Sequence, residues 1–86
     1  MKRVVFHKKF RKKLKKMPSG IKEAFYNRLT VFIDNIFAPE LNNHEVGGVF
    51  PNSRSINVTG DYRAIYQEND EVIMFSEIGT HSELYG

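Results

Sequence analysis

RSINVTGDYRAIYQENDEVIMFSEIGTHSELYG, residues 54–86, decides the fold. Ile56 and Val58 alternate with Ser55, Asn57 and Thr59, and Tyr62, Ala64 and Tyr66 alternate with Arg63, Ile65 and Gln67. Successive side chains of an extended chain point to opposite faces, so a period of two predicts strands with one buried face. Val72 to Phe75 forms a denser apolar run, while Thr59-Gly60-Asp61 and Glu68-Asn69-Asp70 carry turn chemistry between the strands. The reading is an antiparallel meander whose last strand runs out through Ile78-Gly79-Thr80 and leaves His81 and Tyr85 at the end of the sheet.

Working back toward the N-terminus, the period lengthens. Ile21, Phe25, Leu29, Phe32 and Ile36 recur at three to four residues, as do Phe10, Leu14 and Met17, which is the signature of two amphipathic helices. Pro18-Ser19-Gly20 separates them, with Ser19 expected to cap the second helix, and Ala38-Pro39 ends it. Arg3 to Phe6 is a short β-branched strand, and residues 38–53 are loop chemistry with one expected short strand at Val46 to Phe50. The predicted fold class is α+β with the order β-α-α-β-β-β. An antiparallel sheet packs against an N-terminal helical hairpin, because neither layer can bury its apolar side alone. Residues 1–86 form one domain.

The composition agrees with a single small core: 86 residues, 41% hydrophobic, 27% charged. Cys 0 excludes a disulfide scaffold, a thiolate metal site and a thiol nucleophile. No apolar run approaches the roughly 18 residues of a membrane span, so the expectation is a cytoplasmic protein with no membrane partner. Residues 1–17 carry nine basic side chains and no acidic one, whereas the other 69 residues carry four basic and ten acidic. Lys8, Lys9, Arg11, Lys12, Lys13, Lys15 and Lys16 thus create a local positive field that attracts polyanions, nucleic acid first among them. A solvated helix face is the ordinary alternative for such a run.

Alternation places Arg63 opposite the Tyr62/Tyr66 face, with Arg54 on the preceding strand. An arginine fork suits a pair of phosphate oxygens, histidine moves protons near neutral pH, and tyrosine donates a proton or stacks on a base. Tyr62 and Tyr66 sit at core parity and read as packing residues, Asp61 also suits a turn, and Arg54 also suits a cross-strand ion pair. The three histidines, His7, His44 and His81, show no metal-ligand spacing, so neither a metal nor a cofactor is expected.

Gly60-Asp61-Tyr62-Arg63 followed by Tyr66, the ending Ile78-Gly79-Thr80-His81 to Leu84-Tyr85, and Leu41-Asn42-Asn43-His44 with Gly47-Gly48 together resemble the RelE/ParE superfamily of bacterial toxins, nearest its RelE/YafQ-like mRNA interferase branch. The resemblance covers almost the whole chain and implies the RelE-like microbial RNase fold. It implies a toxin of a type II toxin–antitoxin system that cleaves mRNA in the ribosomal A site without a metal and so inhibits translation. It also implies a cognate antitoxin, contact with ribosome and mRNA, and contact with operator DNA only through the antitoxin. Carried over, Arg63 resembles the arginine that stabilises the scissile phosphate, and His81 stands at the proton-transferring position. Tyr85 stands at the family's tyrosine or aromatic position, and His44 and Asp61 match two further active-site positions. Arg54 and the basic helix are the expected RNA-binding residues. Two departures stand out: Asn57 replaces a histidine, and a lysine pair is reduced to Arg54. ParE-like members share the fold, lack the nuclease set and poison DNA gyrase, which is the alternative function; binding nucleic acid without catalysis is a third.

Overall fold

A computed structural model of the chain describes residues 2–86. Its elements are β1 (Arg3–Phe6), α1 (Lys8–Lys15), α2 (Ser19–Asp34), a 3-10 turn (Pro39–Leu41), β2 (His44–Glu45), β3 (Ser53–Asn57), β4 (Tyr62–Glu68), β5 (Val72–Thr80) and α3 (His81–Tyr85). The five strands form one sheet in the order β1-β5-β4-β3-β2. The expected α+β class, helical pair and three-strand meander are all present.

Three local expectations are corrected and one element is added. The sheet is mixed, because β1 runs parallel to β5, with Arg3 beside Val72 and Phe6 beside Phe75; a period of two reveals a buried face but not the direction of a distant partner. Val46 to Phe50 is a turn, in which Val49 and Phe50 both donate to the Val46 carbonyl; the short strand is His44–Glu45. Ser19 lies inside α2, whose cap residue is Pro18; the proline ring has no polar atom to cap with, and Ile21 and Lys22 donate to the Pro18 carbonyl. The last strand ends at Thr80, as expected, and a short helix that the periodicity did not show follows it. Thr80 Oγ1 accepts from the Glu83 N–H at 3.1 Å and Glu83 Oε1 accepts from the Thr80 N–H at 2.8 Å, a reciprocal cap that starts α3.

The core is aromatic. Phe10, Phe25, Phe32 and Phe75 are almost fully buried and meet ring to ring, with centroids 5.2 Å apart for Phe10–Phe25 and 5.3 Å for Phe32–Phe75. Tyr66 joins them at 5.0 Å from Phe32 in an edge-on pairing. Its hydroxyl reaches the far rim of the core, where it accepts from Asn43 Nδ2 at 2.7 Å. Burial pushes the Tyr66 phenol above its ordinary pKa, against the opposing pull of the Asn43 bond.

A β-bulge sets which residues of β5 face the site. Ile73, Phe75 and Ile78 all belong to the core, a spacing that strict alternation forbids beyond Phe75. The register slips there, Tyr66 pairing with Phe75 and Ile65 with Glu77, so Ser76 is extra. The slip keeps Ile78 inside and turns Gly79 onto the second face of the sheet, where it pairs with Arg63. Beyond Phe75, β1 has ended, and α1 takes over the edge: the His7 N–H donates to the Phe75 carbonyl and Lys9 Nζ meets Glu77 at 2.8 Å.

Candidate functional site

The second face of the sheet carries Ser53, Ser55 and Asn57 from β3, Arg63 and Ile65 from β4, and Glu77 and Gly79 from β5. α3 lies over part of it: a Cβ built on Gly79 would stand 3.5 Å from Glu83 Cβ and 3.2 Å from Lys13 Nζ. Ile65 is wholly buried outside the main aromatic cluster. Gly79 thus lies directly under α3, in van der Waals reach of the Glu83 side chain.

Beside α3 opens a cleft of about 410 Å³ lined by Asn42, His44, Glu45, Val46, Arg63, His81 and Tyr85. Four of the five residues named as catalytic from the sequence therefore share one wall. Each is held by a different device. Arg63 is half-buried, and one terminal guanidinium nitrogen donates to the carbonyls of Thr59, Gly60 and Tyr62 at 3.0–3.1 Å. Those carbonyls belong to the β3–β4 turn, so the turn fixes the arginine while its other N–H groups stay available to an anion.

His44 is set by β2, whose register places it next to Ser55. Its Nδ1 lies 2.7 Å from the Asn42 carbonyl. A carbonyl only accepts, so Nδ1 carries the proton in that bond and Nε2 of the neutral ring is left with a lone pair. His81 is the first residue of α3; its N–H donates to the Asp61 carbonyl at 3.0 Å, and its ring packs against Tyr85 with centroids 4.8 Å apart. One helical turn separates the two residues, which puts both on the same face of α3. Tyr85 also meets Phe50 edge-on at 6.0 Å, and its hydroxyl is buried with no hydrogen-bond partner.

Two expected site residues stand elsewhere. Asp61 is exposed in the β3–β4 turn and touches the site through its backbone, by holding the start of α3. Arg54 points to the opposite face of the sheet from Arg63, because it pairs with core-facing Tyr66. There its Nε donates to Asn43 Oδ1 at 2.7 Å, its guanidinium lies 5.4 Å from the Phe37 ring centroid, and Glu45 is 3.7 Å away. With the sheet between them, Arg54 and Arg63 do not act on one phosphate. Of the basic helix, Lys8, Arg11, Lys12, Lys15 and Lys16 are exposed, Lys9 pairs with Glu77, and Lys13 is tucked beside Gly79. The Lys9–Glu77 bond raises the Lys9 pKa.

Among the described residues no three His, Cys, Asp or Glu side chains gather as a metal site, and no helix is long and apolar enough to cross a membrane. The residues that sequence reasoning missed are Asn42, Glu45, Val46 and the Thr80/Glu83 pair. Only the last had a signal, since Thr80-His81-Ser82-Glu83 is a capping box in plain sequence.

Comparison with known proteins settles the family. The family model for the YafQ bacterial toxin of type II toxin–antitoxin systems matches residues 2–86. The chain belongs to the YafQ toxin family. It is therefore a toxin of the type II class and a member of the RelE/ParE superfamily. Among solved structures, YafQ from E. coli strain BL21(DE3) superposes with a TM-score of 0.82 at 20% identity, with both chains covered in full. YafQ in the E. coli DinJ–YafQ complex gives 0.68 at 19% identity over both whole chains. The archaeal RelE–RelB complex from Pyrococcus horikoshii gives 0.73 at 23% identity, covering 92% of this chain and 93% of the other. No curated protein sequence matches significantly.

Proposed function

We propose that this YafQ-family toxin is a ribosome-dependent endoribonuclease, an mRNA interferase that cuts the messenger in the ribosomal A site. The observation that carries the reading is the cleft whose walls bring two histidines, an arginine and a tyrosine together. In the proposed reaction His44 Nε2, left basic by the bond at Nδ1, takes the proton of a ribose 2′-hydroxyl. The 2′-oxygen attacks the adjacent phosphorus, the bond to the 5′-oxygen breaks, and His81 in its protonated form delivers a proton to that leaving oxygen. The products are a 2′,3′-cyclic phosphate and a 5′-hydroxyl. Arg63 neutralises the charge that grows on the phosphate oxygens, and Tyr85 supports the His81 ring and offers a face for a base. The step uses only protons and needs no metal or cofactor. Each positioned acid or base contributes about 10²- to 10⁴-fold in rate.

The partners follow from the same surfaces. The exposed cations of α1 lie where a polyanion such as ribosome-bound RNA is attracted. A groove of about 430 Å³ between α1 and α2 has Phe6, Leu14 and Tyr26 as its apolar lining and Arg11, Lys15 and Lys22 around them. That pattern suits an acidic amphipathic segment, the chemistry expected of a cognate antitoxin that also carries the operator DNA contacts. Similar toxins are found with such partners in the DinJ–YafQ and RelE–RelB complexes. A toxin that meets ribosome and messenger acts in the cytoplasm. The test is to map messenger ends after brief induction of wild type beside His81→Ala in translating cells. Cuts inside translated codons that vanish in the variant support the reading, whereas arrested growth with intact messengers defeats it and points to DNA gyrase.

A further inference from the structure

His44 is the base of the proposed reaction, yet the strand that carries it is weak. β2 has two residues and lies at the edge of the sheet, so few ladder bonds hold it. The ring is held instead through the Asn42 carbonyl, which accepts from Nδ1 at 2.7 Å. Asn42 is left-handed, with φ 47° and ψ 48°, a conformation that asparagine tolerates better than most residues, and its carbonyl turns back onto residue 44. That carbonyl and the Asn43 N–H lie in one rigid peptide plane. Whatever fixes Asn43 therefore fixes the acceptor that sets the His44 ring.

Asn43 is fixed from the other side of the sheet. Its part-buried side chain makes three hydrogen bonds: Nδ2 donates to the Ile36 carbonyl at 2.8 Å and to the Tyr66 hydroxyl at 2.7 Å, and Oδ1 accepts from Arg54 Nε at 2.7 Å. The amide has only this orientation, because a carbonyl only accepts and an arginine Nε–H only donates. Both amide hydrogens are thus engaged, and their partners belong to separate parts of the fold, Ile36 just beyond α2 and Tyr66 in the middle strand β4. Asn43 does not line the cleft, so it acts through His44 and not on RNA. We propose that Asn43 is a positioning residue: its two amide donors, held by Ile36 and Tyr66, lock the Asn42–Asn43 peptide so that the Asn42 carbonyl keeps the proton on His44 Nδ1 and leaves Nε2 free to act as base. The inference rests on the nuclease reading above and deepens it by assigning what sets the tautomer of its base.

The test has two readouts. Long-range nitrogen–proton spectra of labelled protein, at a pH where the ring is neutral, report which nitrogen of His44 carries the proton, and cleavage is timed on programmed ribosomes. Wild type shows the Nδ1–H form. Asn43→Ala mixes the two tautomers and slows cleavage about fivefold at saturating ribosome, the loss expected for one neutral hydrogen bond, with half-saturation unmoved. Tyr66→Phe, which removes one of the two acceptors and keeps the core packed, shifts both readouts the same way by about twofold and decides the matter should Asn43→Ala melt without cooperativity. Arg54→Ala lowers stability yet leaves both amide donors in place, so the tautomer holds. In a His44→Ala background Asn43→Ala slows cleavage no further, because its effect runs through the missing ring. A merely structural role would slow both backgrounds alike and leave the tautomer unmoved. The proposal is overturned by the Nε2–H form in wild type, by a tautomer unchanged in every folded variant that lacks an amide bond, or by an equal loss in the two backgrounds. Messenger left uncut by wild type defeats the nuclease reading alone, since the tautomer is read without RNA.

Discussion

Removing the hydroxyl of Thr80 isolates the smallest element that positions the site. α3 has five residues, far fewer than an isolated helix needs to be stable in water. It is held by the Glu83 N–H to Thr80 Oγ1 bond at 3.1 Å, the Thr80 N–H to Glu83 Oε1 bond at 2.8 Å and the His81 N–H to Asp61 carbonyl bond at 3.0 Å. Thr80→Ala deletes the first and leaves the Glu83 N–H without its cap, a loss of about 1 kcal/mol. That shifts the balance between docked and frayed α3 by about fivefold. Amide hydrogen exchange reads it directly: Glu83 and Gly86, whose N–H groups bond Thr80 Oγ1 and the Ser82 carbonyl, exchange about fivefold faster, while Ile65 in the central strand is unchanged. Because His81 and Tyr85 both ride on α3, messenger cleavage falls severalfold with little change in global melting. Thr80→Ser keeps both cap bonds and stays within about twofold of wild type. Unchanged exchange at Glu83 and Gly86 in Thr80→Ala would refute the view that the cap holds the site.

The same cap responds to acid. The Glu83 carboxyl lies below the usual carboxylate range, chiefly because the Thr80 backbone N–H bonds it, with the Thr80 side chain next. A folded-state pKa below the unfolded one gives a stabilising contribution that is present above the unfolded value and lost as pH falls through the folded value. α3 therefore frays in acid before the sheet does, seen as amide exchange rising at Gly86 and not at Ile65, a trend that Glu83→Gln lessens. Arg54→Ala lowers stability by about 1–3 kcal/mol in urea, through the lost charged bond to Asn43, and slows cleavage no more than the fold loss explains. Arg63→Ala instead lowers cleavage by about 10²- to 10³-fold, as expected when one preorganised donor to a developing oxyanion is removed. Tyr66 has the opposite sign to Glu83: its pKa is raised by burial, so its contribution is complete below the unfolded value and disappears as pH climbs through the folded one. Tyr66→Phe flattens the alkaline limb of an unfolding profile at the cost of about 1 kcal/mol near neutrality. Lys22→Glu, on the α1–α2 groove, weakens capture of the antitoxin about tenfold or more in a pull-down titration and leaves cleavage by the free toxin within a few-fold.

Much of this architecture is legible in the sequence because burial imposes a period. Phe10, Phe25, Phe32 and Tyr66 fall at helical or strand spacing and all reach the core. What stayed hidden lacks a period. The parallel partner of Arg3–Phe6 lies nearly 70 residues away in sequence, and nothing local encodes its direction. The bulge at Ser76 breaks alternation in mid-strand and decides that Gly79, not Ile78, faces Arg63. Arg54 shows the limit of reasoning by residue type. Its charge argued for the phosphate, but it shares the parity of Ile56, and the register puts it beside Tyr66 on the core face. His44, Arg63, His81 and Tyr85 were found through a resemblance, and the cleft brings them together. Asn57 drew notice only as a departure from the family pattern and Ser55 drew none, because the unpartnered buried oxygen that each carries is a property of three-dimensional packing, not of residue order.

The central claim is that this cleft transfers protons and breaks RNA. Purified toxin is added to ribosomes programmed with a defined messenger, and the new ends are characterised for wild type, His44→Ala, Arg63→Ala and His81→Ala, each checked for native melting. The account predicts A-site cuts that leave a 5′-hydroxyl on the downstream fragment and a cyclic phosphate upstream, with each variant slower by about 10²-fold or more. Uncut messenger with wild type, a 5′-phosphate at the cut, or full activity in His81→Ala would contradict it.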